Sequence, residues 1–89
     1  MHQDDITTRL VQIPGWILEG KSLVRAFEFK DFAEALVFVN KVGTEAEKVE
    51  HHPDITIAYN KVTLTLSTHS EGGLTEKDFD LAKAINRII

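Results

Sequence analysis

The chain has 89 residues, a formal net charge of −4 and no cysteine. Its composition is ordinary for one globular domain, which we expect to cover residues 1–89. The absence of a basic cluster argues against nucleic acid and against an anionic membrane surface. The absence of cysteine excludes disulfides, thiol nucleophiles and cysteine-ligated zinc. No signal-peptide pattern or membrane-length apolar run is present, so we expect a soluble cytoplasmic protein.

The N-terminal third predicts a short helix and a β-hairpin. Residues 4–12 place apolar side chains near helical spacing, and Asp4 or Asp5 is available as the N-cap. A Pro-Gly pair then ends this helix. Segments 16–19 and 22–29 have the composition of strands, and the two residues between them include a glycine, which favours a tight hairpin.

The longest predicted helix covers residues 31–50. Asp31 is a natural N-cap, and Glu34 stands three residues later as its capping-box partner. The apolar arc of this helix is wide for a helix with one buried side, so the helix is also a candidate surface for a protein partner. The predicted apolar stripe consists of Phe32, Leu36, Val39 and Gly43.

The C-terminal half predicts a second hairpin and a final helix. Segments 54–59 and 62–69 are predicted strands joined by a two-residue loop at Asn60-Lys61, and the second strand alternates apolar and polar side chains. Residues 75–89 are predicted to form a helix capped by Thr75. Its expected inward residues are Leu81, Ala84, Ile85 and Ile88.

These elements follow the order α-β-β-α-β-β-α. Strands joined by hairpins form an antiparallel sheet, and one apolar face per strand indicates helices on one side only. The predicted fold class is therefore α+β, with a four-stranded antiparallel sheet whose other face is open to solvent or to a ligand.

The stretch EKVEHHPD, residues 47–54, places two histidines side by side among acids. If Asn60-Lys61 is the hairpin loop, His52 lies directly opposite His69 on the helix-free face of the sheet. Imidazole gains or loses a proton near neutral pH. A close pair of imidazoles with carboxylates nearby can therefore supply both an acid and a base.

Two other interpretations of these histidines stay open. Histidines at a strand end can be solvated and without function, and Pro53 cannot donate to a ladder, so regular pairing can end before His52. A metal site is the third interpretation. It would need a further converging ligand, because adjacent residues on a strand point to opposite faces and no cysteine is present.

A longer pattern connects these histidines to a known family. The string E-x-x-x-H-H-P, followed by Tyr59, His69 and the segment EGGLTEKD ending at Asp78, resembles the pterin-4a-carbinolamine dehydratase family. The segments PGW at 14–16 and FEFKDFAEALVF at 27–38 are also similar to that family. The resemblance thus covers most of the chain.

The resemblance implies a lyase that eliminates water from 4a-hydroxytetrahydrobiopterin. The product is the quinonoid dihydropterin, whose reduction recycles tetrahydrobiopterin for aromatic amino acid hydroxylases. The resemblance further implies an α+β fold with a four-stranded antiparallel sheet and three helices on one face, no metal or bound cofactor, and a homodimer or homotetramer. In animals, a member of the family is also a dimerisation cofactor of a homeodomain transcription factor.

The resemblance also implies a set of site residues. It assigns catalytic roles to His51, His52, His69 and Asp78. It assigns substrate binding to Glu47, His51, His52, Pro53, Thr68, His69 and Ser70. Dehydration needs a proton on the leaving oxygen and the removal of a proton from a ring nitrogen, and near-neutral imidazoles suit both tasks. Which histidine is the acid and which is the base stays open.

Structural roles compete for several of these positions. Asp78 falls at the third position of the helix capped by Thr75, where a carboxylate can accept from the cap's backbone N–H and oppose the helix dipole. Trp16 is expected in the core rather than against a substrate ring. Tyr59 is expected to pack at the hairpin end.

Two functions follow from the sequence. The first is the dehydratase. The second is a non-catalytic dimerising interaction module or transcriptional coactivator, which binds a protein through helix 31–50. The complete histidine set favours the dehydratase, because a binding module does not require it.

Overall fold

The computed structural model describes residues 1–89 and contains three α-helices and four β-strands. In chain order these are α1 (Gln3–Leu10), β1 (Ile17–Glu19), β2 (Ser22–Glu28), α2 (Phe32–Val49), β3 (Asp54–Ala58), β4 (Lys61–Leu66) and α3 (Glu76–Arg87), with one turn of 3-10 helix at His69–Glu71. The strands form one antiparallel sheet in the order β1-β2-β4-β3. The predicted fold class and element order are confirmed.

One face of the sheet carries the hydrophobic core. Alternate residues of β2 and β4 are buried there, namely Leu23, Phe27, Val62, Leu64 and Leu66. The helices cover this face with Ile6 and Leu10 of α1, Phe38 and Val42 of α2, and Phe79 and Ile85 of α3. Trp16 also lies in the core, as expected, and its indole N–H donates to Oδ1 of Asn86 at 2.8 Å. No helix combines the length and the apolar character needed to cross a membrane.

Helix α1 begins earlier than predicted. Its N-cap is His2, whose side chain makes no capping hydrogen bond, so the prediction of Asp4 or Asp5 as the cap is wrong. Both aspartates lie in the first turn instead. Carboxylates at that end of a helix oppose the positive pole of the helix dipole, so they still favour this start.

Helix α2 begins and ends at two well-defined residues. The carboxylate of Asp31 accepts from the backbone N–H of Glu34 at 2.9 Å, which confirms the predicted N-cap. Glu34 reaches back one residue further than a standard capping box, to the N–H of Lys30 at 3.1 Å. At the other end Glu50 takes the left-handed conformation, with φ of +52°. The chain therefore leaves the helix directly before His51.

The predicted core-facing side of α2 is wrong by about one residue, which is about 100° around the helix axis. The buried residues are Ala35, Phe38, Val42 and Ala46. The predicted stripe of Phe32, Leu36, Val39 and Gly43 lies beside them, and its first two members are 45% and 38% exposed. Two of the four buried residues are alanines, whose small side chains suit close packing against the sheet. The second apolar stripe (Phe32, Leu36, Val39, Gly43) is left only partly covered.

The loop of the second hairpin lies one residue earlier than predicted. Ala58 pairs with Lys61, so Tyr59 and Asn60 form the loop, and Tyr59 takes the positive φ of +53°. Asn60 is held against the end of β2, where its side-chain amide donates to the carbonyl of Phe29 at 2.8 Å and its own carbonyl accepts from the Phe29 N–H at 2.8 Å. Tyr59 is 67% exposed, so its expected packing at the hairpin end is wrong.

This loop position shifts the β3–β4 pairing by two residues and preserves the two faces. The ladder ends where Asp54 faces Thr65, before it reaches His52. β4 itself ends at Leu66, and His69 begins the 3-10 turn. The predicted opposition of His52 and His69 across the ladder is therefore wrong.

Helix α3 begins as predicted, with Thr75 as N-cap and Asp78 at the third position of a capping box. The predicted inward residues are half right. Leu81 and Ile85 are buried, whereas Ala84 and Ile88 are only half-buried. Phe79 and Ala82 are also buried, although they were not among the predicted inward residues.

Candidate active site

His51 and Asp78 form the centre of the candidate site. Nε2 of His51 lies 2.6 Å from Oδ1 of Asp78. The His51 side chain follows the left-handed end of α2, and Asp78 belongs to the first turn of α3. Because an ionised carboxylate only accepts hydrogen bonds, this contact places a proton on Nε2. Nδ1 is then the ring nitrogen that is free to accept a proton.

Asp78 is fully buried, and both of its oxygens have donors. Oδ2 accepts from the hydroxyl of Thr68 at 2.8 Å and from the backbone N–H of Thr75 at 3.0 Å. With His51 on Oδ1, three donors converge on one carboxylate, which is the pattern of an ionised acid. No buried side-chain polar atom of the chain lacks a hydrogen-bond partner. Asp78 therefore caps α3 and orients His51 at the same time.

Thr68 and Thr75 form the second layer of this arrangement. Their hydroxyl oxygens are 2.9 Å apart. Since the single hydroxyl proton of Thr68 is donated to Asp78, the hydroxyl of Thr75 must donate to Thr68. The sequence predicts only a capping role for Thr75. Its second role depends on the packing of Thr68 against the start of α3, which no local sequence pattern contains.

His52 points away from Asp78 and has its own acidic partner. Its Nε2 contacts Oε2 of Glu47, in the last turn of α2. Both side chains are largely exposed, 61% for His52 and 75% for Glu47. Adjacent histidines thus have different partners, a buried carboxylate for His51 and a solvated one for His52. Pro53 follows, half-buried, and begins the extended chain into β3.

His69 is exposed at the start of the loop that follows β4. Its Nε2 lies 3.5 Å from the hydroxyl of Ser67. The loop is closed at its base by two backbone hydrogen bonds between Thr68 and Gly73, of 3.0 and 3.3 Å. This closure fixes Thr68 beneath the loop and leaves His69 and Ser70 on it.

The predicted site residues other than Asp78 therefore lie on two segments, 47–53 and 68–70, and Asp78 contacts a residue of each. Thr68 and Ser70 line a polar cavity of about 370 Å³ at the start of α3, together with Glu71, Thr75, Glu76 and Lys77. His69 lines a smaller recess on the other side of the loop. Asp78 contacts both His51 and Thr68 directly. His52 and His69 join this group only through their chain neighbours.

No three histidine, aspartate or glutamate side chains of the chain converge in a way that could hold a metal ion. The contacts of the candidate site are instead hydrogen bonds between imidazoles, carboxylates and hydroxyls. This arrangement can hold a proton on a defined nitrogen, and it can exchange protons with a bound molecule.

Known proteins share both the sequence and the fold. The family model described as Pterin 4 alpha carbinolamine dehydratase matches residues 1–88. A Sulfolobus acidocaldarius protein, provisionally named pterin-4-alpha-carbinolamine dehydratase, is 50% identical over 88 residues, which are 99% of this chain and 97% of that protein. A protein of Trichormus variabilis with the same provisional name is 52% identical over 84 residues, covering 94% of this chain and 90% of that protein.

Two solved structures have a similar fold. The transcriptional coactivator/pterin dehydratase of Brucella melitensis superimposes with a TM-score of 0.93 at 39% identity, covering 99% of this chain and 96% of that chain. A pterin dehydratase-like protein identified as a RuBisCO assembly factor in the alpha-carboxysome has a TM-score of 0.71 at 22% identity, covering 86% and 92%. The second likeness concerns the fold alone. From the match over residues 1–88 and the relatives of about half identity, this chain belongs to the pterin-4a-carbinolamine dehydratase family.

Proposed function

We propose that this protein is a 4a-hydroxytetrahydropterin dehydratase that works by histidine general acid–base catalysis. The observation that carries the proposal is the contact of His51 with the buried carboxylate of Asp78, within a chain of the pterin-4a-carbinolamine dehydratase family. A hydrogen-bonded, fully buried carboxylate behind an imidazole fixes which ring nitrogen holds the proton. A surface histidine in a plain turn has no need of such a partner.

The reaction requires two proton transfers. The carbon–oxygen bond at C4a breaks, its electron pair leaves with the oxygen, and a proton from an acid turns that oxygen into water. A base removes the proton from the ring nitrogen next to C4a, and the electron pair of that N–H bond becomes the second bond between nitrogen and carbon. Atoms and charges balance without an oxidant, a reductant or a further reactant.

The site offers separate groups for the two transfers. His51 holds its Nε2 proton against Asp78, which leaves Nδ1 as a base. His52 has the exposed carboxylate of Glu47 as partner, so it can exchange protons with solvent after each turnover. His69 lies on the neighbouring loop and is the third histidine of the proposed site. We assign the substrate pocket to residues 51–53 and 68–70, with Glu47 at its edge.

A polar cavity of about 370 Å³ lies beside Thr68 and Ser70 of this pocket, and none of the three histidines lines it. It opens where Thr68, bonded to Asp78, lies directly under the loop. Dehydration of the carbinolamine in the proposed pocket would give the quinonoid dihydropterin, which is then reduced. We assign the protein to this step of tetrahydrobiopterin recycling.

The experiment is an assay of quinonoid dihydropterin formation from a freshly generated 4a-carbinolamine, in buffer that contains a chelator. The proposal predicts acceleration above the uncatalysed rate without added metal. Activity that disappears on chelation and returns with zinc would contradict the metal-free mechanism. No acceleration with any pterin carbinolamine would contradict the dehydratase assignment itself.

A second function, a protein-binding module, is favoured by one observation. The second apolar stripe of α2 leaves Phe32 and Leu36 partly exposed on a helix whose other side is already in the core. The similar protein of Brucella melitensis is described as a transcriptional coactivator as well as a pterin dehydratase. Such a role would use α2 and would leave the histidines free, so the two functions are compatible.

A further inference from the structure

A small recess lies between the β1–β2 turn and the loop that follows β4. Its volume is about 190 Å³, and it has no hydrophobic lining residue. It is lined by Lys21, Ser22, Ser67, His69, Gly72 and Gly73. Gly72, which has a positive φ of +70° at the end of the 3-10 turn, lines one side, and the β1–β2 connection contributes Lys21 and Ser22. The recess is thus formed by two tight turns that face each other.

Lys21 is the only cationic side chain in this recess. Its aliphatic stem lies over Gly73, because a Cβ built on Gly73 would sit 3.9 Å from both Cβ and Cδ of Lys21. Lys21 makes no ion pair and no side-chain hydrogen bond. It also borders a second recess with Glu71, with which it forms no ion pair. Its ammonium group is therefore available to a ligand in the recess.

The recess shares one residue, His69, with the proposed pterin pocket, so the two are contiguous. At about 190 Å³ the recess is smaller than the roughly 300–1,000 Å³ of sites that enclose a whole small molecule, so it suits a substituent and not the bicyclic ring. It offers the ammonium group of Lys21 and the hydroxyls of Ser22 and Ser67, which suit hydroxyl or anionic oxygens, whereas the N–H groups of both glycines are already bonded within the loop.

We propose that this recess binds the substituent at C6 of the pterin, and that Lys21 is a substrate-binding residue that selects oxygen-rich substituents. The inference rests on the proposed function, since it takes the ring to lie against 51–53 and 68–70. The favoured substrates are then pterins with a hydroxylated or phosphorylated side chain. A 6-methyl pterin offers no oxygen to the ammonium of Lys21 or to the hydroxyl of Ser22.

Calorimetric binding of three dihydropterins to the whole protein tests the inference. The ligands are 7,8-dihydrobiopterin, its 6-methyl counterpart and a dihydropterin with a phosphorylated side chain. Lys21→Met is expected to weaken binding of the oxygen-rich ligands by at least about fivefold, because a charge-assisted hydrogen bond is lost. Binding of the 6-methyl ligand should stay within twofold. Lys61→Met, an exposed lysine at the opposite end of β4, is the matched control.

The pattern across the ligands decides the outcome. A larger loss for the phosphorylated ligand assigns the contact to an anion, and an equal loss for both oxygen-rich ligands assigns it to hydroxyls; either result supports the subsite. An equal loss for all three ligands, or no loss for any, overturns it. Dehydration assays on the same preparations separate the two proposals. Ligand preference without dehydration contradicts the proposed function, and dehydration without preference contradicts the Lys21 subsite alone.

Discussion

Nε2 of His51 lies 2.6 Å from Oδ1 of Asp78, although the two residues are 27 positions apart in the chain. His51 follows the end of α2 and Asp78 lies in the first turn of α3, so the contact depends on how these two helices pack. The Asp78 carboxylate is fully buried and the His51 side chain is 12% exposed. A hydrogen bond of this kind, shielded from water, orients an imidazole more firmly than a surface contact can.

Asp78→Asn should separate the capping role of Asp78 from its role toward His51. Asparagine keeps one oxygen, which can still accept from Thr68 and Thr75, but it presents an NH₂ group to His51. The ring must then accept at Nε2 and carry its proton on Nδ1, the wrong tautomer for a base there. We expect dehydration to fall at least about tenfold, with a stability loss below about 1 kcal/mol. A denaturant melt and the dehydration assay on one sample check this.

Asp78→Ala is the matched control for that experiment. It removes the acceptor for both the Thr75 N–H and the Thr68 hydroxyl, and unsatisfied buried donors are costly. We expect a stability loss of about 2–4 kcal/mol in addition to the loss of activity. If Asp78→Asn kept full activity and lost stability like alanine, Asp78 would be a helix cap only.

Thr68→Val should weaken the hydrogen bonding that holds the Asp78 carboxylate. Valine has the shape of threonine without the hydroxyl, so Oδ2 of Asp78 loses its 2.8 Å donor and the Thr75 hydroxyl loses its acceptor. We expect a loss of about 1–3 kcal/mol in the free energy of unfolding and a severalfold slower dehydration. Thr68→Ser keeps the hydroxyl and should retain most of the activity. Equal behaviour of the serine and valine variants in both measurements would show that this hydroxyl does not matter.

His52→Ala and His69→Ala should each remove most of the activity while the protein stays folded. Both side chains are exposed and neither contributes to the core, whereas a general acid or base typically contributes about 10²–10⁴-fold to a rate. His2→Ala removes the fourth histidine, which is the N-cap of α1 and makes no side-chain capping hydrogen bond, and this change should leave the rate unchanged. Thermal melts of all three variants show whether the loss is chemical. A fully active His52→Ala variant would remove that residue from the catalytic set.

The protein is predicted to be a dimer or a tetramer. The second apolar stripe of α2 is partly exposed, and the sheet has free edges at β1 and β3. Light scattering at micromolar concentration should give a multiple of the 10.0 kDa chain.

Leu36→Glu should shift the particle toward the monomer if the stripe is a contact. Val37→Glu, about 100° round the same helix, is the control. Phe38→Glu would not be a suitable probe of this stripe, because Phe38 is only 4% exposed and lies in the core.

The elements and faces of the fold could be predicted because local physics sets them. The alternation in β4 fixed which side chains face the core, and Asp31 marked the start of α2. The hairpin loop lies one residue earlier than predicted because a tertiary contact sets its position. Asn60 is bonded to Phe29, 31 positions earlier in the chain, and no local pattern contains that contact.

The sequence proposes the members of the candidate site but does not contain the contacts between them. The resemblance brought His51, His52, His69 and Asp78 together as a set. The strand register paired His52 with His69, whereas the direct partners are His51 with Asp78 and His52 with Glu47. This pairing follows from the left-handed turn at Glu50 and from the packing of α2 on α3, which a sequence periodicity does not contain. Lys21 escaped notice for the same reason, since only the folded turns bring it beside His69.

The rate of quinonoid formation from a fresh 4a-carbinolamine, measured for the wild type and for a His52→Ala/His69→Ala double variant under chelator, tests the central claim most directly. We predict that the wild type accelerates the dehydration and that the double variant, folded by circular dichroism, falls close to the uncatalysed rate. A wild type no faster than buffer, or a double variant as fast as the wild type, would contradict the claim that this histidine site performs the reaction.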